Sequence, residues 1–111
     1  MNISGLIQAR MGSKRLPGKV MLEIESKPLI GHIFDRLREV KGLKEIILAT
    51  TADKKNDILE KYALKENIIV YRHEDENDIV GRLYESFKLV KSDAILKINA
   101  DCPLIDPFYL Q

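Results

Sequence analysis

Apolar residues follow two patterns along this chain. Short, mostly apolar runs at residues 3–9, 45–50, 68–71 and 94–98 read as buried strands. Between them, apolar positions return every three or four residues, the period of an amphipathic helix. Leu29, Ile33, Leu37 and Val40, with Ile30 and Phe34 beside them, predict the first helix. Pro28 suits its first position and Gly42 ends it. Ile58, Leu59, Tyr62 and Ala63 predict the buried side of a second helix, with Asp53 as its N-cap. Ile79, Val80, Leu83, Phe87 and Val90 predict one face of a third, capped by Asp78. Residues 20–24 read as a short extended piece that turns at 25–27 into the first helix. Residues 72–77 and 99–103 read as loops, and Asp106-Pro107 as the start of another helix.

Strands that alternate with amphipathic helices imply an α/β fold with a mostly parallel sheet covered on both faces. Right-handed crossovers favour a Rossmann-like, doubly wound order, 3-2-1-4 in strand sequence. The connections of strands one and four then leave in opposite senses, and a crevice opens at their carboxyl ends. In that order strand four is an edge with one interior charge, Lys97, and no proline.

Charge singles out one lip of this crevice. The twelve residues Gln8-Ala9-Arg10-Met11-Gly12-Ser13-Lys14-Arg15-Leu16-Pro17-Gly18-Lys19 follow strand one and hold four cations and no acid. Without them, the balance of 18 basic and 17 acidic residues falls from +1 to −3. Gly12 and Gly18 let the backbone turn and approach a ligand closely, and Ser13 adds a hydroxyl and an N–H. Fixed cations together with N–H donors suit a phosphate; the plain alternative is a basic surface loop. The spacing is not that of a P-loop: five residues separate the glycines and Val20 follows Lys19, so no hydroxyl stands there for Mg²⁺.

Asp101, after strand four, faces this loop in the expected order. It is either a turn aspartate or a Mg²⁺ ligand, since Mg²⁺ takes one or two protein carboxylates plus substrate phosphates. Asp78 and Arg82 lie four apart on one helix, the spacing of a cap with a surface ion pair. Thr50 and Thr51 end strand two near the same edge and read as structural. Cys102 reads as a small packed residue. His32 beside apolar neighbours and His73 in a polar loop do not make a zinc or catalytic pair. One cysteine in 111 residues excludes an internal disulfide. The near-neutral charge argues against a general nucleic-acid binder. The absence of a long apolar run argues against a membrane span, and the first residues do not read as a signal peptide, so a cytoplasmic location is expected.

The segment Ile7-Gln8-Ala9-Arg10-Met11-Gly12-Ser13 with Arg15-Leu16-Pro17-Gly18-Lys19 resembles the signature of the sugar-acid cytidylyltransferases. The resemblance is strongest to the branch of spore coat polysaccharide biosynthesis protein F; the deoxy-manno-octulosonate and acylneuraminate enzymes are more distant. Asn99-Ala100-Asp101-Cys102-Pro103-Leu104-Ile105 resembles the family's Gly-Asp-x-Pro-Leu-Ile stretch, with Ala100 where glycine is usual. The resemblance implies a fold of the nucleotide-diphospho-sugar transferase type. It also implies transfer of CMP from CTP to a sugar acid with release of pyrophosphate, for a surface polysaccharide. Arg10 and Lys19, with the N–H groups of residues 11–13 (Met11, Gly12, Ser13), would stabilise the departing pyrophosphate. Mg²⁺ on Asp101 would neutralise charge at the α-phosphate, the backbone at Ala9 would face the base, and Asp78 and Arg82 would lie near the nucleotide. Family members are about twice as long, so residues 1–111 correspond to the N-terminal, nucleotide-binding part. A nucleotide- or phosphate-binding module without turnover and an inactive fragment remain open, as does a homodimer.

Overall fold

The computed structural model describes residues 2–12, 18–75, 77–90 and 92–99. Its frame is a parallel sheet of four strands: β1 (Ile3–Gln8), β4 (Leu43–Thr51), β5 (Ile69–His73) and β6 (Ala94–Asn99). Their order is β5-β4-β1-β6, the doubly wound arrangement expected from the sequence. In β1, Gln8 is in register with Ala49 of β4 on one side and Asn99 of β6 on the other. The two central strands are therefore enclosed laterally and on both faces, and Leu6, Ile7, Ile47 and Leu48 have no exposed surface.

Three helices cover this sheet: α1 (Leu29–Arg38), α2 (Asp57–Lys65) and α3 (Ile79–Phe87). The side-chain alternation of a strand sends Ile7 and Leu48 to one face, where they pack with Ile30, Ile33, Phe34 and Leu37 of α1 and Leu59 and Ala63 of α2. Leu6, Ile47 and Ala49 go to the other face, against Tyr71 and Leu83 of α3. The Phe34 and Tyr62 rings stack across α1 and α2, with centroids 6.1 Å apart.

Several expectations are corrected. Val20 and Met21 belong to a 3₁₀ turn, Lys19–Met21, and not to an extended piece. Pro28 is not the first residue of α1. It is the extended residue before it (φ −60°, ψ 149°), in β3 (Lys27–Pro28), which pairs with β2 (Glu23–Ile24) in a small hairpin. Glu25 and Ser26 both have positive φ there, the twist that a two-residue hairpin turn requires. Asp53 caps a 3₁₀ turn, Lys54–Asn56, that precedes α2, its carboxylate accepting from Lys55 N–H at 2.9 Å. Ile58 is exposed. Arg72 and His73 lie in β5, because both are in register with β4, and not in a loop.

The largest correction concerns α3. Asp78 caps it as expected, accepting from Gly81 N–H at 2.9 Å. However, Ile79, Val80 and Phe87 are exposed, and Arg82 and Ser86 are buried in their place. Leu83 packs on the sheet and Val90 is buried as expected, so the inward side combines part of the apolar stripe with these two polar residues, and Arg82 does not lie on the surface. Ser86 Oγ donates to Arg82 C=O at 2.6 Å, which satisfies the serine inside the helix.

Candidate nucleotide-binding site

β1 delivers the cationic segment to the carboxyl end of the sheet. Ala9 is buried there, with its N–H on Ala49 C=O at 3.2 Å, and Arg10 emerges exposed. At Met11 the backbone is held twice. Its C=O accepts from Gly18 N–H at 2.8 Å, which closes the chain from 11 to 18 into a neck. Its N–H donates to Asn56 Oδ1, also at 2.8 Å.

The neck brings together two cations that lie nine positions apart in the sequence. Arg10 immediately precedes one partner of the Met11–Gly18 bond and Lys19 immediately follows the other, so both cations leave from the same place. Gly18 makes this closure at φ 76°, ψ 6°, a left-handed conformation that favours glycine. Lys19 then opens the 3₁₀ turn whose Val20 is buried against the α1 side of the core, fixing the far side of the neck.

Asn56 was not legible as a site residue. It is 1% exposed and its amide is used at both ends. While Oδ1 takes Met11 N–H, Nδ2 donates to Thr51 Oγ1 at 2.6 Å and to Thr51 C=O at 3.3 Å. The only advance signal was a polar residue in the connection after a strand that ends on two threonines. Met11 N–H is therefore a tether in this arrangement, not an open donor.

Two further polar atoms end buried at this side of the sheet. Gln8 Nε2 and Thr50 Oγ1 have no hydrogen-bond partner among the described residues, although their residues are 8% and 0% exposed. Buried polar atoms are normally satisfied, so these two ask for an explanation.

Asp78 and Arg82 reach the same carboxyl-end side of the sheet from another element. They sit at the start of α3, which packs on β4 and β5, and Asp78 turns toward the end of β5. Asp78 Oδ2 lies 3.0 Å from His73 Nε2, and His73 Nδ1 lies 2.7 Å from the Tyr71 hydroxyl. The Gly81 N–H, and then His73, hold the Asp78 carboxyl below its usual range. Burial pushes the Tyr71 phenol up.

Ser13, Asp101 and Cys102 lie outside the described residues. Among the described residues, no group of three or more His, Cys, Asp or Glu side chains could hold a metal ion. No helix among them is long and apolar enough to cross a membrane.

Comparison with known proteins agrees with this geometry. A family model described as cytidylyltransferase matches residues 4–111. An 8-amino-3,8-dideoxy-manno-octulosonate cytidylyltransferase of Shewanella piezotolerans is 33% identical over 111 residues, covering all of this chain and 45% of that protein. Spore coat polysaccharide biosynthesis protein SpsF of Bacillus subtilis is 34% identical over 106 residues, covering 92% of this chain and 44% of that protein. Among solved structures, a cytidylyltransferase of Leptospira borgpetersenii superposes with a TM-score of 0.90 at 36% identity, covering 99% of this chain and 46% of that one. A CMP:2-keto-3-deoxy-manno-octonic acid synthetase complexed with CTP superposes at 0.80 and 29% identity, covering 99% and 44%. The chain thus spans less than half the length of these relatives.

Proposed function

The chain belongs to the cytidylyltransferase family, and from that premise we propose that it is the CTP-binding part of an enzyme that activates a sugar acid. The observation that carries the reading is the closed neck, from which Arg10 and Lys19 leave together at the carboxyl end of β1. In the reaction, a sugar hydroxyl oxygen attacks the α-phosphorus of CTP. The new O–P bond forms as the bond to the bridging oxygen of the β-phosphate breaks. The hydroxyl proton passes to solvent or a base, and pyrophosphate leaves with the bond's electrons. Negative charge grows on the departing group, where preorganised cations and N–H donors are most effective. Arg10 and Lys19 hold that group, the N–H groups of Gly12 and Ser13 assist, and the Ala9 backbone faces the base.

Asp78 and Arg82 approach from the β5 edge and serve the nucleotide's outer part. Asp101 would hold Mg²⁺ together with the phosphates of CTP, as one carboxylate suffices to begin such a site. When bound, the ion supplies neutralisation of phosphate charge. The product serves a surface polysaccharide, and the step takes place in the cytoplasm.

Calorimetry with CTP and Mg²⁺ tests the binding half of the proposal. Arg10→Ala and Lys19→Ala should each weaken CTP binding by about 1.5–3 kcal/mol, the range for charged hydrogen bonds. Lys14→Ala should do less; equal loss from Lys14→Ala and Lys19→Ala would refute the assignment. Pyrophosphate release with a sugar acid tests the catalytic half. Its absence with CTP binding intact would leave a nucleotide-binding module.

A further inference from the structure

Asn56 is the one fully buried polar side chain whose bonds join the cationic loop to the rest of the sheet among the described contacts. Its Oδ1 reaches a backbone N–H 45 residues earlier, and its Nδ2 returns to the end of its own strand. We propose that Asn56 is a positioning residue: its amide latches the neck of the cationic loop to the end of β4 and so sets where Arg10 and Lys19 meet the nucleotide phosphates. This rests on the reading that the loop binds CTP.

Asparagine suits both ends chemically. Met11 N–H can only donate and Thr51 C=O can only accept, so one amide orientation serves and the flipped one opposes like with like. Aspartate would keep the acceptor for Met11 but turn a second oxygen toward the Thr51 carbonyl, without water to screen it. Alanine and serine lack the reach to span both partners.

The frame that holds Asn56 is itself braced. Arg72 of β5 donates from Nε to Thr51 C=O at 3.0 Å and from Nη2 to Asp53 C=O at 2.7 Å. Its Nη1 meets Asp57 at 2.7 Å and Glu60 at 3.0 Å. The 51–57 connection is therefore gripped from the side opposite the loop. Asn56 N–H, on Asp53 C=O at 2.9 Å, closes the 3₁₀ turn that aims the side chain. A residue serving only its own segment would not need an acceptor pointed at the loop after β1.

Backbone hydrogen exchange at Met11, followed by NMR without nucleotide, reads the latch directly. In the natural sequence the Met11 N–H should exchange slowly, as sheet amides do. Asn56→Ala should speed it about tenfold or more relative to Leu48 N–H, the effect of one lost hydrogen bond. Asn56→Ala should also raise the CTP Kd about tenfold. Asn56→Asp should raise it at least as much, and Thr51→Val, which keeps the Met11 bond, should raise it less. Free exchange of Met11 in the natural sequence would overturn the latch without any variant, should Asn56→Ala fail to fold. Unchanged Met11 protection in Asn56→Ala, or unchanged CTP affinity once that protection is lost, would overturn it too. Failure of the natural sequence to bind CTP would refute the nucleotide reading, while Met11 exchange still decides the latch.

Discussion

Replacing Gly18 with alanine should separate what the neck does for folding from what it does for binding. Gly18 sits at φ 76°, where an L side chain is strained by about 1–2 kcal/mol. Among the described residues, a Cβ at Gly18 would meet only Met11 Cε, at 3.6 Å, an ordinary contact that adds little. Alanine also stiffens the unfolded chain, which returns about 0.4–1 kcal/mol. The net loss of stability should therefore be about 1 kcal/mol. Gly42 offers a matched control. It has φ 88°, with nothing within 4 Å of a built Cβ, and it lies between α1 and β4, at the opposite end of the sheet from the loop. Gly42→Ala should cost the same in urea unfolding, but only Gly18→Ala should weaken CTP binding. Asparagine at either position should cost less than alanine, since it tolerates this conformation. If Gly42→Ala weakened CTP binding as much as Gly18→Ala, the neck would have no special role. If Gly18→Ala cost no stability, the left-handed closure would be wrong.

Three other substitutions probe different links. Thr50→Val removes a buried hydroxyl that has no partner among the described residues and keeps its shape, so thermal unfolding should show neutral or slightly raised stability; a loss of CTP affinity alone would mark the hydroxyl as a ligand contact. Gly31→Ala would push a Cβ into the Tyr62 hydroxyl and to 2.8 Å from Lys27 Cγ, so it should destabilise by about 1–3 kcal/mol despite alanine's better helix propensity, which urea titration checks. Asp78 has a depressed pKa in the folded chain, so its contribution is present above the unfolded value and fades as pH falls through the folded one, below 3.8. The stability gap between the natural sequence and Asp78→Asn should be open at pH 6 and shrink in acid below that value; a gap independent of pH would refute the sign.

The strand order was legible because four apolar runs, separated by helical periodicity, leave few topologies for a covered parallel sheet. The loop was legible from its one-signed charge and its glycines. The inward face of α3 was not. Ile79, Leu83 and Phe87 share a stripe by spacing, yet only Leu83 of the three packs on the sheet while Arg82 and Ser86 are buried, and a hydropathy pattern cannot anticipate a polar group turned inward. The short hairpin at 23–28 escaped because Glu25 and Ser26 are not residues that usually signal positive φ. Asn56 escaped because its role depends on a partner 45 positions away, which only the folded sheet brings near. Asp101 and Ser13, read as site residues from the sequence, remain proposals.

The closure at Met11 and Gly18 also bears on how this loop can vary between relatives. A segment whose two ends share one hydrogen bond can change length without moving its anchors. The entropic cost of lengthening a flexible loop grows only logarithmically, roughly 0.6 kcal/mol per doubling. Insertions between Gly12 and Pro17 should therefore be tolerated thermodynamically, while the cations that flank the closure keep their origin. Length can then vary inside the loop at small cost to folding, with Met11 and Gly18 as the fixed points of that variation.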